Sequence, residues 1–462
     1  MLFNSYVFLG VFLPAALAAF YVLPRQAPRL AVLVLASYVF YAYAQWWFPA
    51  LMVGSTAISF ATGLLLARTP EGRTRKWLLA TGIAGALSLL VFFKYAQFVT
   101  HNSLSFVTTI TGRGLPSVEA FTGKIVLPIG ISFFTFEAIS YVIDVYRGDL
   151  EAERNPLRYA FFISFFPHLI AGPIVRYGKL RPQLARFYRF DPDLMLSGLL
   201  LFSLGLVKKV VIADQIAART DVLLGSPGQL GLVQSWAAMT GYAFQIYFDF
   251  AGYTDMALGL ARMFGIELPW NFDRPYRAAS PREFWRRWHV TLSTWLRDYL
   301  YIPLGGNRKG ELRRDGNIMA TMGLGGLWHG ASFSFMFWGL WQGLLLVGQH
   351  QAERLPVRLP RPLAIALTFA LVTIGWVFFR MRSPGPIADV LGDMAGLNGL
   401  GAVPTGLLPW LAVAGILMWC VPEEWRWNLH RFGIVRLVPI AVVTVAALVL
   451  LNHTRRFIYF RF

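Results

Sequence analysis

The stretch "GGLWHGASFSFMFWGLW", residues 325–341, holds one ionisable ring, His329, among glycine, tryptophan, phenylalanine and leucine. A neutral imidazole kept from water suits one kind of chemistry well. It can take the proton of a hydroxyl while that oxygen attacks an acyl carbonyl. Gly323, Gly325, Gly326 and Gly330 around it permit close backbone approach and an irregular conformation. In a bilayer, irregular backbone is tolerated only where it packs on protein or lines a cavity, so the pattern predicts a chamber around the ring. A lone histidine on an apolar segment is also a common structural residue, and the residues alone leave both readings open.

A second histidine lies in "PREFWRRWHVTLSTWLRDYL", residues 281–300. Wound as one helix, this stretch puts Phe284, Trp285, Trp288, Leu292 and Trp295 on one stripe and Arg282, Arg286 and Arg297 nearly opposite, with His289 on the border. The pattern predicts an interfacial helix, tryptophans inward and arginines outward. Three further stretches place polar groups where hydrocarbon is expected. "LPIGISFFTFEAISYVIDVYRG" (127–148) holds Glu137 and Asp144; "FFPHLIAGPIVRY" (165–177) holds His168 and two prolines; "YFDFAGYTDMALG" (247–259) holds Asp249, Tyr253 and Asp255. Asp144 reads as a partner for nearby Arg147, and Glu137, Asp249 and Asp255 as hydrogen-bonding links between helices. The prolines predict a broken or re-entrant segment, with His168 a structural histidine satisfied by carbonyls freed at the breaks.

The elements that must position these groups follow from composition. Of 462 residues, 56% are hydrophobic and only 14% charged, more apolar surface than a water-soluble domain can cover. Apolar runs near the roughly 20 residues needed to cross hydrocarbon recur along the chain. Spans are expected at about 3–23, 30–48, 51–67, 77–98, 125–145, 158–175, 195–212, 232–262, 318–347, 363–380, 405–421 and 434–451. The first lacks a basic leader and reads as a retained helix. The fold class is therefore an all-α polytopic membrane protein, expected as one integral domain over 1–462 with its motif-bearing core at about 126–345. No internal repeat is visible.

The charge of +18 sits in loops between spans, which fits cytoplasmic loops and discounts nucleic acid. The loop "ARTPEGRTRK" (67–76) and the basic intervals 176–189 and 263–317 are expected on the cytoplasmic side, which requires 158–175 to enter and leave by the same face. One cysteine, Cys420, excludes an intrachain disulfide or a thiolate cluster and reads as a small apolar residue near a span end. His289 and His329 lack local metal-ligand spacing, so no metal is predicted.

Together and in order, "LPIGISFFTFEAISYVIDVYRG", "FFPHLIAGPIVR", "YFDFAGYTDMALGLARMFGIELPWNFDRPYRAASPREFWRRWHVTLSTWLRDYLYIPLGGNRKG" and "GLWHGASFSFMFWGLWQG" resemble the membrane-bound O-acyltransferase family, in the bacterial branch that contains alginate O-acetyltransferase. The first and last hundred residues resemble it only as hydrophobic spans. The resemblance implies helices around a central chamber or tunnel, with re-entrant and interfacial helices. It implies that His329 in "LWHG" is the catalytic histidine, and that His289 in "FWRRWHVTLSTW" orients the donor or orders the cytoplasmic mouth. The implied donor is acetyl-CoA, a substrate rather than a tightly bound cofactor, its phosphates drawn by Arg274, Arg277, Arg282, Arg286, Arg287, Arg308 and Lys309. Arg282, Arg286, Trp285 and Asn307 are the chosen donor-contacting candidates. Implied too are a bacterial inner membrane, an extracytoplasmic acetyltransferase partner and a polysaccharide acceptor. Two alternatives stand beside this reading. One is D-alanyl transfer from a carrier protein in teichoic acid modification. The other is a transporter for a polysaccharide or lipid-linked sugar, which broken helices suit but the missing repeat does not.

Overall fold

The computed structural model describes residues 1–111, 123, 125–356, 359–420, 434–453, 455, 457 and 458, and every regular element among them is helical. The chain resolves into two compact units, Met1–Pro192 with Phe264–Leu268, and Asp193–Met263 with Pro269–Phe462.

The first unit contains α1 (Leu13–Val22), α2 (Gln26–Ala42), α3 (Phe48–Arg68), α4 (Arg73–Thr111), α5 (Ile131–Arg147), α6 (Pro156–Ser164), α7 (Phe166–Leu169) and α8 (Tyr177–Leu184). Gly130 starts α5 at φ 82°, and a Cβ there would lie 2.5 Å from the Leu169 carbonyl oxygen, so both conformation and space demand glycine. Asn155 caps α6 by accepting from the Leu157 and Arg158 amides, with Pro156 at the first helical position. The predicted break at 165–177 is present: after α7 no helix resumes until Tyr177. Its backbone amides find side-chain acceptors, Phe166 N donating to Ser37 Oγ at 3.0 Å and Val175 N to Glu137 Oε1 at 2.9 Å. His168 differs from expectation, because its Nδ1 lies 3.1 Å from Glu137 Oε1 rather than on a freed carbonyl. Glu137 thus links α5 to the broken segment.

The second unit contains α9 (Pro192–Val207), α10 (Asp214–Leu223), α11 (Leu232–Met263), α12 (Pro281–Arg287), α13 (Val290–Leu296), α14 (Glu311–His329), α15 (Phe333–Ala352), α16 (Arg361–Arg380), α17 (Pro384–Met394), α18 (Leu408–Trp419) and α19 (Ile434–Val449). A wide π turn, Lys208–Ala213, joins α9 to α10. It brings Lys209 Nζ to 2.6 Å from both Asp214 Oδ1 and Asp249 Oδ1, and pairs Lys208 with Asp255. Asp249 and Asp255 therefore tie α11 to the π turn, and the cations they meet were not apparent from the motif.

By length and composition, four helical stretches can cross a bilayer: 48–68, 73–103, 192–223 and 361–380. Several expected spans take another form. The span expected over 318–347 is a tight hairpin of α14 and α15, turned at Gly330–Ser332. Its glycines serve packing more than irregularity: a Cβ on Gly326 would lie 2.2 Å from the Phe335 carbonyl oxygen. The interfacial helix expected over 281–300 is broken at Trp288 and His289, with His289 in the left-handed region at φ 44° and wholly buried instead of on a border. The break has a local cause. The Val290 and Thr291 amides, which a continuous helix would turn back on itself, donate instead to the backbone and side chain of Asn271.

Candidate active site

His329 is the last residue of α14 and is 5% exposed. Its Nδ1 lies 2.8 Å from the carbonyl oxygen of Gly325, one turn back. A carbonyl only accepts, so Nδ1 carries the proton and the ring's lone pair is on Nε2. Aromatic edges box the imidazole: Trp328 and Trp338 each at 4.9 Å between ring centroids, and Phe379 of α16 at 5.6 Å. The box is itself braced. Trp338 stacks on Trp376 at 5.5 Å, and Trp376 Nε1 donates to Tyr276 Oη at 3.1 Å, whose hydroxyl donates to the Ala243 carbonyl at 2.8 Å. A ring so held keeps both its tautomer and its direction.

His289 joins the same cluster through Trp328, whose ring lies 6.2 Å from His289 and 4.9 Å from His329. Phe250 of α11 packs edge-on against His289 at 4.8 Å. The Nδ1 of His289 faces Asn271 Oδ1 at 3.1 Å. The two histidines that the motifs single out, 40 residues apart in sequence, are therefore neighbours across one tryptophan.

Beside this cluster is a cavity of about 560 Å³. Arg282, Trp285, Arg286 and Asn307, the four donor-contacting candidates, all line it, together with Arg297 and His350. Thr321 and Met322 of α14 form part of its wall. Met322 precedes His329 by seven residues, about 10 Å along a helix. Trp285 bridges the interval, its ring 6.0 Å from Trp338, which in turn touches His329. Of the other basic candidates, Arg274, Arg277, Arg287, Arg308 and Lys309 are not in the wall. Arg287 is engaged by Glu283 at 3.0 Å and Asp273 at 3.4 Å. Arg282 is gripped by Glu353 through both guanidinium nitrogens at 3.2 Å, whereas Arg286 makes no ion pair with any described residue. The Gln349 amide and the Arg282 guanidinium hold the Glu353 carboxyl below the usual carboxylate range.

Sequence reasoning missed Asn271, His350, Trp376 and Phe379. Asn271 stands inside the quoted motif, in "PWNFDRPY", but nothing in its spacing points to His289. Trp376 and Phe379 come from an ordinary apolar span, with no local mark of their place around His329.

Residues 152–381 match the sequence pattern of MBOAT, the membrane-bound O-acyltransferase family. The probable alginate O-acetylase of Pseudomonas putida is 44% identical over 405 residues, covering 85% of this chain and 80% of that protein. The peptidoglycan O-acetyltransferase of Helicobacter pylori is 38% identical over 437 residues, 87% of this chain and 81% of that protein. The teichoic acid D-alanyltransferase of Bacillus subtilis is 30% identical over 272 residues, 54% of this chain and 68% of that protein. These likenesses span most of the chain, beyond the short motifs, and they remove the transporter alternative. The chain belongs to the membrane-bound O-acyltransferase family, and it is a helical membrane protein and an O-acyltransferase.

Proposed function

We propose that this O-acyltransferase takes an acetyl group from acetyl-CoA at the cytoplasmic face of a bacterial inner membrane, which it crosses several times. It passes the group toward an exported or cell-envelope polysaccharide, through an extracytoplasmic acetyltransferase partner. The observation that carries the reading is His329, its Nδ1–H committed to the Gly325 carbonyl, boxed by aromatic rings next to an arginine-rimmed cavity. The cavity suits a donor with a phosphorylated head and a thioester tail, with Arg286 at the rim and Trp285 toward His329.

The step balances without a protein acyl-enzyme. His329 Nε2 takes the proton of the acceptor hydroxyl as its oxygen bonds to the thioester carbonyl carbon. The tetrahedral adduct expels the thiolate by breaking the C–S bond, and the imidazolium returns the proton to the sulfur. The products are an ester and the free thiol. The acceptor hydroxyl belongs to the glycan or to a relay residue of the partner.

The test is acyl-CoA turnover by protein in nanodiscs, comparing the parent with His329→Ala at matched folding. Loss of about 100-fold or more in kcat is expected. Turnover that survives the substitution removes His329 from the chemistry. If the parent is inert toward acetyl-CoA but active with an acyl-loaded carrier protein, the D-alanyl type of transfer replaces the coenzyme-fed one. The acetyl reading is favoured because both the alginate and the peptidoglycan relatives align over a larger share of this chain than the D-alanyl one.

A further inference from the structure

We infer that Asn271 is a positioning residue that fixes which nitrogen of His289 carries the proton and which way the ring faces; this rests on the acyl-transfer reading above. The side-chain oxygen of Asn271 is identified by its neighbours. The Thr291 backbone amide points at it from 3.2 Å, and a backbone N–H only donates, so the atom there is Oδ1 and not Nδ2. The Thr291 hydroxyl, at 2.9 Å, shares that acceptor. The Nδ1 of His289 faces the same oxygen at 3.1 Å and must therefore bear a hydrogen, which leaves Nε2 as the acceptor nitrogen.

The backbone is pinned from the same residue. Val290 N donates to the Asn271 carbonyl at 2.9 Å, and Asp273 N donates to the Arg287 carbonyl at 2.9 Å. Residues 271–273 thus run alongside 287–290 and hold His289 in its left-handed conformation, φ 44° and ψ 53°. A non-glycine residue persists there only when its surroundings over-determine it. Asn271 and His289 are 1% and 0% exposed, so water does not compete for these bonds. The choice of an amide is itself informative. A carboxylate at this place would favour the protonated ring, in which both nitrogens donate; an amide fixes the tautomer and leaves the ring neutral. His289 and His329 consequently share one arrangement, Nδ1–H bonded to a fixed oxygen and Nε2 the acceptor, on either side of Trp328.

The experiment combines two readouts on protein in nanodiscs. Nitrogen-15 NMR of histidine-labelled protein, with His289→Gln to assign the signal, reads the tautomer directly. The parent is expected to give the Nδ1–H form at His289, Asn271→Ala a mixture, and Asn271→Asp the restored Nδ1–H contact. In acetyl-CoA turnover, Asn271→Ala is expected to lower kcat about tenfold or more with donor KM within about threefold, because a misdirected tautomer costs rate more than binding. An Nε2–H signal in the parent overturns the assignment. So does an Asn271→Ala protein that folds and turns over at the parental kcat. If Asn271→Ala does not fold, the tautomer in the parent and in Asn271→Asp decides alone. A parent with no acyl transfer sinks the functional reading, while the tautomer measured on the same sample still judges Asn271.

Discussion

Two arginines on one cavity wall are not equivalent, because their surroundings differ. Arg282 is held by Glu353 through two contacts of 3.2 Å, and Arg286 has no ion-pair partner among the described residues. Arg286→Ala should therefore raise the donor KM about tenfold, the value of one charge-assisted phosphate contact, with kcat little changed. Arg282→Ala should do less. Glu353→Gln, which releases Arg282, should lower KM, and steady-state kinetics across the three variants checks the order. Glu353 also sets a pH dependence. Its carboxyl is held below the usual range, so the Arg282 pair is present above the unfolded-state pKa and is lost as pH falls through the depressed one. The KM difference between parent and Glu353→Gln should thus hold from about pH 5 upward and close only in more acid solution. At this scale the sequence was informative where residue type carried the meaning. Arg282, Trp285, Arg286 and Asn307 do share a cavity. It was silent where contact alone decides: Asn271 lies 18 residues before the histidine it holds, a distance with no helical period.

The hairpin of α14 and α15 depends on backbones that nearly touch. A Cβ on Gly339 would lie 2.2 Å from the Met322 carbonyl oxygen, a backbone atom that cannot swing aside. Gly339→Ala should cost about 1–3 kcal/mol of stability. It should also lower turnover, because Trp338 is the next residue and touches the His329 ring. Gly348→Ala, on the same helix with nothing within 4 Å of its new Cβ, should be neutral or slightly stabilising. Thermal unfolding of both variants in one detergent is the measurement, and equal losses would remove close packing as the reason for Gly339. The existence of helices here was readable from apolar periodicity, but their breaks were not. The stretch 281–300 keeps a clean amphipathic period and still divides at His289, because Asn271 takes the amides a continuous helix needs. Tertiary contact overrode local pattern.

Across the whole molecule, the +18 charge has two fates, buried pairing and exposed loops. Lys209 is 2% exposed between Asp214 and Asp249, each at 2.6 Å, so Lys209→Met should destabilise by about 3–5 kcal/mol by stranding two carboxylates. Adding Asp214→Asn and Asp249→Asn should recover much of that loss in the same unfolding assay. The exposed cations make a different claim. Loops rich in arginine and lysine are retained in the cytoplasm, and the interval 263–317 supplies Arg282, Arg286 and Asn307 to the cavity wall. A cytoplasmic donor can reach the cavity only if that interval faces inward, so the charge rule and the donor assignment stand or fall together. Cys420 is the chain's one cysteine and is exposed, so Cys420→Ser gives a clean background. In it, Lys309→Cys, at an exposed position, should react with a membrane-impermeant maleimide in inverted vesicles and stay unlabelled in intact spheroplasts. Labelling from the outside would place the arginine rim away from any coenzyme pool, and the acetyl-CoA reading would fail even with His329 essential.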